Sequence, residues 1–219
     1  MKVFSFLILI LAAVGSAGAQ PAFRADVKNC VPRPICQTAG GPNVREAAIS
    51  RINSIAFDRH AIASAINQHT EAYLDYAPGP SSVSAGFWDT VTVTDPKHPL
   101  GEPLDLVVVA HASGSVSESY GNGRASAGLR TDGIVPDGPL DGSTYQIADS
   151  DIYLRIVGRG YDEIQYSDVI TISNGDTVAF YSNVVAGANH SRGGAQVHLD
   201  SWIESAGGKD LLLDWASQQ

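Results

Sequence analysis

Two cysteines and one methionine are all that the 219 residues contain of those types. So few cysteines exclude a multi-bridge disulfide scaffold and an all-cysteine zinc site. Basic residues are also scarce, with 14 Lys and Arg against 23 Asp and Glu and a formal net charge of -9. Such a chain repels phosphate backbones, which excludes nucleic acid as a partner. Beyond the N-terminus no apolar stretch approaches the roughly 20 residues that cross a bilayer. "LDLVVVAHA", Leu104 to Ala112, is about half that length and carries Asp105. Amphipathic helical patterns between successive apolar runs are missing too, which disfavours parallel βαβ units.

The N-terminus holds the one long apolar run. Lys2 precedes Val3 to Val14, and Ala17-Gly18-Ala19 follows as an A-x-A cleavage site. This is the order of a signal peptide, residues 1–19, and predicts a secreted protein, extracellular or periplasmic, with no membrane span after cleavage. Charge is uneven along the remainder. Gln20 to Thr70 holds six bases and three acids, whereas seven bases face twenty acids from Glu71 onward.

Residues 20–43 read as an N-terminal arm, punctuated by Pro21, Pro32, Pro34, Gly40, Gly41 and Pro42. Cys30 and Cys36 lie within it, and in an oxidising compartment a pair this close is expected to form a local disulfide. The alternatives are a metal or redox pair, but zinc sites use closer spacing and two further ligands, and the redox motif is C-x-x-C. In "VREAAISRINSIAF", Val44, Ala48, Ile49, Ile52, Ile55 and Ala56 recur at helical spacing and predict one short helix.

After Asp58 the period drops to two. "HAIASAINQ" and "EAYLDYA" open a succession of predicted strands that continues with Val83–Thr94, Leu104–Val116, Arg124–Arg130, Ile152–Val157, Ile164–Ile172, Thr177–Val185, Ala195–Ile203 and Leu211–Trp215. "DPKHPLGEP", "YGNG", "DGIVPDGPLDGS" and "SNGD" separate them with turn residues. Many short strands at near-regular spacing predict an all-β fold, an antiparallel, jelly-roll-like β-sandwich formed as a single domain by residues 44–219. In "WDTVTVTD", Val91 and Val93 are expected to face inward, with Trp88, Thr90, Thr92 and Thr94 on the other face and Asp89 and Asp95 in water at the ends. A looser echo, "YSDVITISNGD", is consistent with two hairpins facing each other across one core.

The succession "SSVSAGFWDTVTVTD", "LDLVVVAHASGSVS", "GRASAGLRTD", "ISNGDTVAFYSNVVAGA" and "GGAQVHLDSWIES" resembles the Ala/Ser-alternating β-sandwich domains of exported bacterial proteins, of the type associated with PEP-CTERM sorting tails. The resemblance covers roughly His60 to Ser205 and implies a jelly-roll-like exported domain without enzyme activity. This chain departs from the pattern in ending "LLLDWASQQ", with no apolar anchor and no basic tail.

Few constellations point to chemistry. His190, His198 and Asp200 come nearest to a transition-metal set, because residues 198 and 200 share one face of a strand, yet no third ligand is identifiable. His60 and His69 show no ligand spacing, and His111 ends an apolar strand. "GRASAG" places Ser126 at the fourth position rather than the third of a nucleophile elbow, and "GNGRAS" lacks the third Gly of a phosphate loop. The loop acids Asp132, Asp137 and Asp141 make calcium the one cation considered as a cofactor, although three Asp-Gly pairs also suit ordinary turns. Trp88, Trp202 and Tyr120 offer aromatic faces on which sugars could stack, and Trp215 is the remaining tryptophan. The expectation is a non-enzymatic β-sandwich of the cell envelope or extracellular matrix, structural or adhesive, with a glycan or a matrix protein as partner. The alternatives are a carbohydrate-binding module, calcium-assisted or not, and thirdly a secreted hydrolase.

Overall fold

The computed structural model describes residues 23–30, 36–50, 59–75, 80–117, 121–136, 148–188 and 193–219. The signal peptide lies outside them, as do Tyr120, Asp137, Asp141 and His190. Among the described residues no helix is long and apolar enough to cross a membrane. The chain forms a β-sandwich of two antiparallel sheets packed face to face.

The strands, in chain order, are β1 (Phe23–Cys30), β2 (Cys36–Pro42), β3 (Glu46–Ser50), β4 (Arg59–Ser64), β5 (His69–Leu74), β6 (Ser81–Thr94), β7 (Pro103–Val116), β8 (Gly121–Arg130), β9 (Ser150–Ile156), β10 (Tyr161–Tyr166), β11 (Ile170–Ser173), β12 (Thr177–Ala188), β13 (Ala195–Ser205) and β14 (Leu212–Trp215). One sheet runs β2-β1-β6-β12-β8-β9, with β14 also on β6. The second runs β10-β7-β13-β5-β4-β3, with β11 also on β7. A short 3-10 turn, Ala216–Gln218, closes the described chain.

Alternation sets which side chains meet between the sheets. On β6 Val83, Ala85, Phe87, Val91 and Val93 point inward, and on the opposing sheet Leu104, Leu106, Val108, Val197 and Leu199 do the same. Alanines 61, 63, 72, 110, 112, 125 and 127 fill the intervening positions and are all buried. One polar pair crosses this core: Thr70 Oγ1 of β5 and Ser182 Oγ of β12 lie 3.1 Å apart, so each buried hydroxyl has a partner.

Several expectations are corrected. Residues 23–30 and 36–42 of the expected arm are part of the domain, because β1 is inserted between β2 and β6, with Ala25 and Val27 in the core. Gly40 makes this hairpin possible: its φ is +109° and a Cβ there would stand 1.9 Å from the Ala25 carbonyl oxygen. Cys30 and Cys36 are cross-strand partners in the same hairpin and are joined by a disulfide, as expected. The helix expected from Val44 is instead β3 over its described part, since pairing Ala47 with Ala63 of β4 outweighs a periodicity that alanine fits in either form. Residues 51–57 of that segment lie outside the described residues.

The run Ile164–Ile172 is two strands, β10 and β11, laid along different parts of β7. The paired echo is not two facing hairpins either, because β6 and β7 belong to opposite sheets, as do β11 and β12. Their connections cross the end of the sandwich and are clasped by Asn174. Its Oδ1 accepts the Asp95 N–H at 2.7 Å, and its Nδ2 donates to the carbonyls of Asp95, His98 and Pro99 at 2.9–3.0 Å. Asp95 is therefore buried rather than in water; it also accepts the Lys97 N–H and pairs with His98 Nδ1 at 2.6 Å. Asp89 is fully buried on the core face, where the terminal turn covers it and Ser217 donates to it through both N–H and hydroxyl.

Candidate functional site

The outer face of the β7-β13-β5-β4 region gathers most of the imidazoles. Four of the six histidines, His60, His69, His111 and His198, project there. Parity decides the face: Thr70, Ala72 and Leu74 of β5 go inward, so His69, Glu71 and Tyr73 go outward. Val197 and Leu199 of β13 likewise go inward, which turns Gln196, His198, Asp200 and Trp202 outward.

Register then sets the partners. Gln196 stands between Tyr73 and Ser115, His198 between Glu71 and Ser113, and Asp200 between His69 and His111. Glu71, in the second row, is the group on which three of the imidazoles converge. His60 Nε2 lies 2.5 Å from Glu71 Oε1, while His198 Nδ1 and His69 Nε2 lie 3.6 and 3.8 Å from Oε2. Burial works against the Glu71 charge, but the His60 hydrogen bond and the charges of His198, His60 and His69 together hold the carboxyl below its ordinary value. Asp200 Oδ1 lies 2.7 Å from His69 Nδ1, and Asp162 Oδ1 lies 2.7 Å from His111 Nε2.

A groove of about 430 Å³ opens at the end of the first row. Tyr73, Gln196 and Ser115 line it from three adjacent strands beside Leu74, Val116 and Ala195, and Asp75, Ser117 and Arg159 line it from the loops. The Tyr73 ring is held by stacking on His60, centroids 5.0 Å apart and planes 17° apart. Residues that carry an aromatic ring, an amide, hydroxyls, a carboxylate and a guanidinium thus line one open hollow. Such a set can lie against the C–H face of a ring and bond its rim of hydroxyls.

The residues expected to bind fare unequally. Trp88 is not a platform: it is 1% exposed, tilted against Tyr181 at 5.0 Å, and covered by Val135 and Ala148. Gly128 leaves the space that the Tyr181 ring fills, since a Cβ there would meet Tyr181 Cε1 at 2.5 Å. Trp202 is half-buried on the same outer face as the groove, its Nε1–H donated to Glu204 at 2.7 Å. Tyr120 lies outside the described residues. Asp132 accepts from the Arg130 guanidinium and the Ile134 N–H; its calcium partners Asp137 and Asp141 lie outside the described residues.

Sequence spacing missed Tyr73, Gln196 and Glu71 as site residues, and it judged His60 and His69 to have no ligand partners. The structure brings both histidines to Glu71. The available signal was His69-Thr70-Glu71, two polar groups with strand parity, but their partners lie on β4 and β13.

No family model and no curated protein matches the chain. Among solved structures it is similar to a family-61 carbohydrate-binding module in complex with β-1,4-galactotriose, at 11% identity, covering 74% of this chain and 82% of that one with a TM-score of 0.26. A score that low carries no argument from one protein to the other.

Proposed function

We propose that the protein is an exported, non-catalytic β-sandwich that binds carbohydrate in the groove at the end of the outer face, in an adhesive or envelope-associated role. One observation carries the reading: Tyr73, Gln196 and Ser115 form a single cross-strand row that lines an open hollow of about 430 Å³ together with Asp75 and Arg159. Sheet positions are rigid, so the stacking ring and the hydrogen-bonding amide are set before a ligand arrives, which lowers the ordering cost of binding. The N-terminal Lys2, apolar run and Ala17-Gly18-Ala19 support export, and the Cys30–Cys36 disulfide is compatible with an oxidising compartment.

A glycan array followed by calorimetry on the strongest ligand tests this. Tyr73→Ala and Gln196→Ala are each expected to weaken binding about tenfold or more, the scale of one lost stacking or hydrogen-bonding contact. An array without a hit, or binding untouched by both substitutions, refutes the groove. Loss on Trp202→Ala alone would move the site to the middle of the sheet.

A further inference from the structure

We infer that His69 Nε2, His198 Nδ1 and one Glu71 carboxylate oxygen form a binding site for a divalent transition-metal ion of the zinc type. The site does not rest on the sugar-binding reading, although Gln196 lines the groove and also touches His198. One ligand atom from each of the three residues already lies within 4.8 Å of the other two, and Glu71 Oε2 is 3.8 Å from His69 Nε2 and 3.6 Å from His198 Nδ1. Tetrahedral ligands at about 2.0–2.1 Å from zinc stand roughly 3.3 Å apart, so small side-chain rotations suffice to close the set. Two imidazoles and a carboxylate suit zinc and its neighbours rather than calcium, whose ligands are oxygens.

The surroundings supply what metal ligands need behind them. Asp200 Oδ1 stands 2.7 Å from His69 Nδ1, and a carboxylate can only accept, so in the neutral ring the proton sits on Nδ1 and the Nε2 lone pair is left to a metal. The Gln196 amide nitrogen is 2.7 Å from His198 Nε2; a half-turn of the amide group, which exchanges its nitrogen and oxygen, lets it accept the Nε2 proton and frees Nδ1. His60 holds the second oxygen of Glu71 at 2.5 Å. Each ligand therefore has its own orienting partner, from β4 or β13. Side-chain exposures of 30% for His69, 17% for Glu71 and 28% for His198 leave the cluster reachable from solvent. Three protein ligands leave a coordination position on that side for water or an incoming group.

Zn2+ titration of the untagged protein by calorimetry, paired with the visible spectrum of the Co2+ form, tests the inference. One equivalent is expected to bind. Glu71→Gln and His198→Ala should each weaken it at least tenfold, and Asp200→Asn, acting through His69, by about 10–100-fold. His98→Ala and His111→Ala should leave the affinity unchanged. Thermal melts of each variant show whether the fold is retained. No saturable binding, or binding that survives Glu71→Gln and His198→Ala in folded protein, overturns the site. Loss of affinity on His98→Ala or His111→Ala alone does so too, by assigning the ion elsewhere.

Discussion

Asp89 provides a pH-dependent test of how the sandwich is closed. It lies on the core face of β6 at 0% exposure, where burial raises its pKa from 3.8 to about 6. The Ser217 hydroxyl and N–H, the Thr90 N–H and the Arg45 charge oppose that rise without cancelling it. Between about pH 4 and 6 the folded protein thus holds a proton that the unfolded chain has released. Stability contributed by this group is complete at the acid end of the window and is lost as pH rises through it. A rise of about two pKa units corresponds to roughly 3 kcal/mol.

Asp89→Asn keeps the shape and can still accept the Ser217 N–H, but it does not titrate. Urea unfolding of both proteins at pH 4, 5, 6 and 7.5 isolates the effect, because other titrating groups cancel in the difference. The variant is expected to gain on the wild type by about 3 kcal/mol between pH 4 and 7.5. Parallel stability profiles would refute the reasoning, since they would mean that Asp89 titrates alike in both states.

Two further outcomes follow from the packing. Val93→Asn places an amide in the core at a position that is 0% exposed and should cost about 3 kcal/mol or more, whereas Thr92→Asn on the opposite face should cost under about 1; equal losses in thermal melts would show that both faces are covered. Asn174→Ala removes the clasp between two inter-sheet connections and leaves the Asp95 N–H without its acceptor, so a loss of about 3 kcal/mol, or roughly 6–12 °C in Tm, is expected; a fall under about 2 °C would show the connections to be held by other contacts.

The strands were legible because alternation is local. Val91 and Val93 sit inward, as their parity requires, and the same parity puts Asp89 inward beside them. What failed was the assumption that an ionisable group at a strand end must reach water. Ser217 lies 128 residues away in sequence, and nothing near Asp89 announces that a turn from there will cover it. Trp88 repeats the lesson on the outer face: its side was assigned correctly, but its cover comes from Val135 and Ala148. The β1-β2 hairpin was hidden for another reason. Gly40, Gly41 and Pro42 belong to the edge strand β2, and they masked the alternation of Ala25 and Val27.

The imidazole cluster marks the boundary between what parity and register can each supply. Parity alone puts His198 and Asp200 on one face, and His69 with Glu71 on another strand's face, from residue numbers only. Which pair meets which is a matter of register between β5 and β13, strands whose paired residues His69 and Asp200 are 131 positions apart. In the observed register Glu71 opposes His198 and Asp200 opposes His69, so the ligand set and one orienting carboxylate form together. A slip of one residue would turn His69 and Glu71 inward and bring Thr70 and Ala72 out. That slip would also bury a histidine and a carboxylate while exposing the apolar side of β5. The core that fixes the register therefore fixes the site, and the metal-binding geometry is a consequence of how Ala72, Leu74, Val197 and Leu199 pack beneath it.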